Sequence, residues 1–137
     1  MSDIVVERAQ WAEVLPFQTL AAKERVNVTD IDGMVWFKVS DKKRRVKGFA
    51  GIAPIGKRKA RIRAVWVRPD FRGCGIGEAL SQACLEYGIA ARFETVEILS
   101  WDKRWALRAG FTEVGATQHG ATRLVYTVLD RTLDTPE

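Results

Sequence analysis

The chain has 137 residues, 47% of them hydrophobic, with 22 Lys and Arg against 17 Asp and Glu for a net charge of +5, which fits one globular domain over 1–137 and leaves no comfortable room for two. The longest apolar stretches span only a few residues and exclude a membrane-spanning helix, and the start, Met1 to Glu7, lacks the basic and apolar regions of a secretory leader, so a cytoplasmic location without membrane contact is expected. Two cysteines, Cys74 and Cys84, with His119 as the one histidine, exclude a disulfide framework and a four-ligand zinc site, and no metal is expected.

In chain order, Ile4 to Val6 reads as a short first strand, and Glu7 to Arg25 as a helix split at Pro16, its apolar residues recurring at helical spacing. These elements and the polar, turn-rich Asn27 to Gly33 form an N-terminal region over 1–33. Met34 to Val39 is predicted to be a strand, closed by the charged turn Asp41 to Arg45, and Val46 to Ile55 its return. After a second turn, Gly56 to Lys59, the segment to Val67 alternates: Lys59, Arg61, Arg63 and Val65 on one face, Ala60, Ile62, Ala64 and Trp66 on the other. Three strands joined by tight turns make an antiparallel meander.

Pro69 ends that meander. A glycine-rich loop, Arg72 to Gly77, then enters a helix from about Gly77 to Ala91. Thr95 to Leu99 reads as a strand, and Trp101 to Ala109 as a short helix stopped by Gly110, with Trp101 and Trp105 one turn apart as core or pocket wall. Phe111 to Ala116 and Arg123 to Leu129 form a closing hairpin whose turn holds His119. The core is assigned to 34–130 and a frayed tail to 131–137.

A strand, then Arg72-x-x-Gly75-x-Gly77, then a helix describes a phosphate site. Glycines let the backbone approach a ligand, successive amide N–H groups converge on an anion, and the helix N-terminus adds about half a positive charge. Two alternatives fail on spacing. A P-loop ends in Gly-Lys-Ser/Thr where this loop ends Gly77-Glu78-Ala79, and a dinucleotide fingerprint follows an early parallel strand, not a meander.

The segment Val67-Arg68-Pro69-Asp70-Phe71-Arg72-Gly73-Cys74-Gly75-Ile76-Gly77-Glu78-Ala79-Leu80 resembles the acetyl-CoA signature of the GCN5-related N-acetyltransferase (GNAT) superfamily nearly residue for residue. Trp105 to Phe111 resembles the same family's aromatic-helix-Gly-Phe segment, and about three quarters of the chain fits its element order. The resemblance implies an α/β fold, with a mixed, mostly antiparallel twisted sheet of six or seven strands flanked by helices. It further implies acetyl-CoA as co-substrate, with the amides of Arg72, Gly73, Cys74, Gly75, Ile76 and Gly77 cradling the pyrophosphate. Backbone groups of Val65, Trp66 and Val67 would pair with the pantetheine arm. Cys74 is then a bystander as a thiol. The implied reaction is acetyl transfer to a primary amine, small-molecule or protein, that attacks the thioester directly.

The chain departs from the family pattern at the chemical groups. Ala106 stands where the resemblance places a tyrosine acid, and Lys59, Arg61 and Arg63 stand on a strand where it often places a glutamate base. Substitutes are Asp102 as base, then Glu97 or Ser100, with Tyr126 as acid if its side chain faces the opening. These departures leave open a non-catalytic acyl-CoA-binding module. Thirteen Lys or Arg against two Asp between Lys38 and Arg72 give that segment a net +11, on a remainder of −6. The turn holding Lys42 to Arg45, with Lys47, falls at the glycine-loop end and is expected to approach coenzyme A phosphates. Lys59, Arg61 and Arg63 read as a solvated sheet face or, more sharply, as fitting an acidic acceptor or nucleic acid, since some phage enzymes that modify DNA bases look like members of this superfamily. The acceptor is not encoded in any motif, and homodimerisation is left open.

Overall fold

A computed structural model describes residues 4–128. Its strands are β1 (Glu7–Ala9), β2 (Val35–Ser40), β3 (Val46–Gly56), β4 (Lys59–Val67), β5 (Thr95–Ser100), β6 (Thr112–Ala116) and β7 (Thr122–Thr127). Its helices are α1 (Trp11–Val14), α2 (Gln18–Lys23), α3 (Ile76–Ala90) and α4 (Arg104–Ala109), with 3-10 turns at Leu15–Phe17 and Pro69–Phe71. The strands form one sheet in the order β1-β2-β3-β4-β5-β7-β6, antiparallel throughout except for β4 beside β5. The expected mixed sheet flanked by helices is therefore present with seven strands. No helix among the described residues is long and apolar enough to cross a membrane.

Alternation along the strands divides the core between two faces. Val35, Phe37, Ala50, Ile52, Val96 and Ile98 pack under α3, while Trp36 and Phe49 face the N-terminal helices with Val14, Phe17 and Ala21. Gly88 lets α3 lie close to the sheet: an added Cβ would stand 2.8 Å from Val96 Cγ2 and 3.1 Å from Ile52 Cδ1. Gly88→Ala gains about 1 kcal/mol of helix propensity yet forces two fully buried side chains to move. A net loss of about 1–2 kcal/mol is expected, read as a lower midpoint in urea at unchanged slope.

Several predicted elements shift. The first strand is Glu7–Ala9, not Ile4 to Val6, because Glu7, Arg8 and Ala9 pair with Lys38, Phe37 and Trp36. Helix begins only at Trp11, where Gln10 and Glu13 close a capping box, and a 3-10 turn accommodates Pro16. Trp101 lies outside α4 and is 74% exposed. The end of the predicted last strand, at Leu129, and the tail 131–137 lie outside the described residues.

The predicted alternation of β4 holds only halfway. Phe49 pairs with Trp66 and Gly51 with Arg63, so three steps of β4 answer two of β3, and the extra residue falls at Ala64, whose φ is +59°. This bulge reverses the faces. Ala60 and Ile62 join the α3 side, but Val65 and Val67 now join it too, whereas Ala64 and Trp66 turn to the N-terminal side.

Candidate functional site

The same bulge opens the sheet. Parallel pairing of β4 with β5 runs from Lys59 beside Thr95 to Ile62 beside Ile98 and stops there, while β5 continues on β7 to Ser100 beside Thr122. Beyond Ile62, β4 bends after β3 and leaves its other edge unpaired over Val65 to Val67. An unpaired strand edge offers N–H and C=O groups to an extended ligand.

Two cavities meet at this opening. The first, about 710 Å³, runs over the glycine loop and is lined by Val65, Trp66, Val67, Arg72, Gly73, Gly75, Ile76 and Gly77 among others. Of the nine positions assigned to the co-substrate, only Cys74 does not line it; its Sγ donates to the Phe71 carbonyl at 3.0 Å. Gly73 and Gly75 adopt φ of +84° and +89°, and the N–H groups of Gly73, Cys74 and Gly75 donate to no acceptor among the described residues. Gly75 caps α3, whose first-turn N–H groups add to the cradle. The backbone thus fits an anion of pyrophosphate size.

Arg72 braces this loop with its side chain. Its Nε donates to the Val67 carbonyl at 2.8 Å, and its Nη2 lies 2.5 Å from Glu24 Oε1, which also accepts from Trp66 Nε1 at 2.6 Å. Arg72, then the Trp66 indole, hold the Glu24 carboxyl below its ordinary pKa. The network ties the end of α2 to the loop. Sequence reasoning missed Glu24, since nothing in a 48-residue separation signals the contact.

The second cavity, about 550 Å³, enters the splay and shares Val26, Val65, Gly77, Glu78 and Asp102 with the first. Ser81, Trp105 and Ala106 line it from the α3–α4 side, and Arg25, Arg61 and Arg63 from the other. Ala106 is buried and carries no proton donor, so this position supplies no acid to the wall. Lys59 does not line either cavity, and neither do Lys42 to Lys47, although the 41–45 turn does lie at the glycine-loop end. Lys47 and Arg68 instead sit over the Phe71 ring, at 5.1 and 5.7 Å.

The four groups assigned to chemistry are held differently. Asp102 lies at the shared mouth, its Oδ2 2.7 Å from Arg104 Nη2, and the hydrogen bonds from Arg104 lower its carboxyl to about 2. Glu97 is buried: Oε1 accepts from Arg61 Nε at 2.8 Å and Oε2 from Arg123 Nε at 3.0 Å. Tyr126 packs against Phe111 with centroids 5.6 Å apart and does not line either cavity. Ser100 Oγ donates to the Asp102 carbonyl at 2.5 Å.

The model of the acetyltransferase (GNAT) family matches residues 6–111. No curated protein matches the sequence. Among solved structures, a phosphinothricin acetyltransferase from Sinorhizobium meliloti in complex with acetyl-CoA is similar at a TM-score of 0.77 and 15% identity, over 99% of this chain and 94% of that one. A Mycobacterium tuberculosis protein in complex with CoA gives 0.75 and 19%, over 91% and 99%. A dodecameric spermidine N-acetyltransferase from Vibrio cholerae gives 0.73 and 13%, over 96% and 99%. At these identities the likeness is one of fold.

Proposed function

The chain belongs to the acetyltransferase (GNAT) family, and on that premise we propose that it transfers an acetyl group from acetyl-CoA to a primary amine. The observation that carries this reading is the continuity of the two cavities: a backbone anion cradle opens along an unpaired strand edge into a splay that a second molecule can enter. Acetyl-CoA supplies the thioester. The cradle and the β4 edge orient it, and the acceptor nitrogen forms the C–N bond as the C–S bond breaks, the nitrogen's proton ending through solvent on the departing sulfur.

Of the carboxylates assigned to chemistry, Asp102 alone lines the mouth common to both cavities, and we assign it to take that proton. With Arg104 holding it at about 2, it is ionised at every working pH and only weakly basic, which places it at the low end of general-base catalysis. Glu97 has both oxygens engaged by arginines, and Tyr126 stands off the cavities. Ala106 favours a second reading, a module that binds acyl-CoA without turnover.

One assay separates them: thiol release from acetyl-CoA across an amine panel, followed from pH 4 to 10. Transfer is expected to rise with pH as the acceptor amine loses its proton, with no carboxylate inflection between pH 4 and 7. Asp102→Asn is expected to lower kcat roughly 10- to 100-fold. No thiol release with any amine, while CoA binds, would establish the binding module instead.

A further inference from the structure

The acceptor side of the splay has an imbalance of charge that the co-substrate does not use. Glu78 and Asp102, the carboxylates lining the second cavity, are each matched by an arginine, Arg108 and Arg104, at 2.7 Å. Arg61 is matched by buried Glu97. Arg63 is half-buried on the cavity wall, Arg25 is exposed on the same side, and neither has a side-chain hydrogen bond or ion pair to any described residue. A guanidinium drawn partly out of water without a partner is a standing cost that an incoming anion removes.

The phosphates of the co-substrate are not that anion. Arg63 lines the second cavity and not the first, which runs over the glycine loop, and it stands four residues before Val67, on the far side of the Ala64 bulge. The site is also concave. A 550 Å³ cavity lies within the range of small-molecule sites, and Lys59, which would extend a basic track across the sheet, stands outside it. That geometry suits a compact anion and not a duplex.

We infer that the acceptor is a small amine bearing a carboxylate, which Arg63, with Arg25, binds as a guanidinium–carboxylate pair while the amine points into the splay. The planar fork of arginine matches a carboxylate through two parallel N–H···O bonds. Such a pair fixes orientation as well as position. The inference rests on the acetyltransferase reading above and supplies its substrate class.

The test uses the full chain with saturating acetyl-CoA and a set of amino acids, each run beside its carboxamide, which keeps the amine and side chain but removes the charge. For at least one pair the acid is expected to exceed the amide at least tenfold in kcat/KM. Arg63→Gln is expected to shrink that ratio at least tenfold, through KM, with CoA affinity changed less than twofold by calorimetry. Titrating the same pairs into the CoA complex reads the preference where turnover is slow. Equal use of acids and amides, preference for polyamines, salt-sensitive binding of duplex DNA in place of small acids, or an Arg63→Gln effect equal on both members would each overturn the inference with the acetyltransferase reading intact. Failure to bind CoA would overturn that reading itself.

Discussion

Gly77→Leu is expected to abolish acetyl-CoA binding while leaving the fold as stable as before or slightly more so. Gly77 lies in the first turn of α3, and a Cβ there would meet Val67 Cγ2 at 3.8 Å and Val65 Cγ1 at 4.0 Å, ordinary contact distances. The free protein therefore accepts the side chain, and leucine adds about 0.8 kcal/mol of helix propensity over glycine. The same side chain would enter the first cavity, which Gly77 lines with Val65 and Val67 and where the proposed reading runs the pantetheine arm along the β4 edge. A loss of at least roughly 100-fold in CoA affinity is expected, about 2.7 kcal/mol. Gly75→Ala is the contrasting variant. Its φ of +89° makes any Cβ strained, at about 1–2 kcal/mol of stability, although the nearest heavy atom is 3.7 Å away. Calorimetry with CoA beside thermal melts distinguishes them: Gly77→Leu loses binding and keeps its Tm, and Gly75→Ala lowers Tm. Unchanged CoA affinity in Gly77→Leu would place the co-substrate elsewhere.

What the chain reveals of this site before folding follows from the range of each interaction. The glycine loop is legible because its requirements are local: Gly73 and Gly75 adopt positive φ within three residues of each other, and α3 starts immediately after them. The meander is legible because its turns are short and its strands alternate. The Ala64 bulge is not, since alanine gives no sign of a left-handed conformation, and only pairing with β3 imposes the extra residue. That one insertion sends Val65 and Val67 to the α3 face and Trp66 to the other, so the pattern read from Lys59 onwards fails just where the site opens. Trp101 misleads by spacing: four residues from Trp105 it reads as helix, yet Asp102 accepts from the Arg104 N–H and α4 starts at Arg104, leaving Trp101 against Gly120. The row Lys59, Arg61 and Arg63 looks uniform in sequence and is not. Lys59 is exposed, Arg61 is committed to Glu97, and Arg63 alone of the three faces the cavity without a partner among the described residues.

Removing both arginines from Glu97 is expected to destabilise the protein by more than the two single losses together. The Glu97 side chain is 4% exposed, and Arg61 and Arg123 are 33% and 51% exposed, so the carboxylate depends on its partners more than they depend on it. Arg61→Ala leaves Oε1 without its cation inside the sheet, at a cost of about 2–3 kcal/mol, and Arg123→Ala, at the wetter position, about 1–2 kcal/mol. In either single variant the surviving arginine still balances the charge. In the double variant nothing does, and a coupling of about 1–2 kcal/mol beyond the sum is expected from a double-mutant cycle in urea. The sign of a third substitution identifies the cause. Glu97→Leu added to the double variant removes the uncompensated carboxylate and should recover stability, whereas a merely steric role for the arginines predicts a further loss. The clamp also acts on the site, because Arg61 beside Glu97 is the penultimate rung of the β4–β5 pairing before Ile62 beside Ile98 ends it. Releasing it lets the parting of the strands move toward Lys59, so Arg61→Ala should raise KM for acetyl-CoA along with its loss of stability. Strict additivity of the two arginine losses, with no recovery from Glu97→Leu, would mean that the two ion pairs do not act as a unit on Glu97 and that the opening is held by backbone pairing alone.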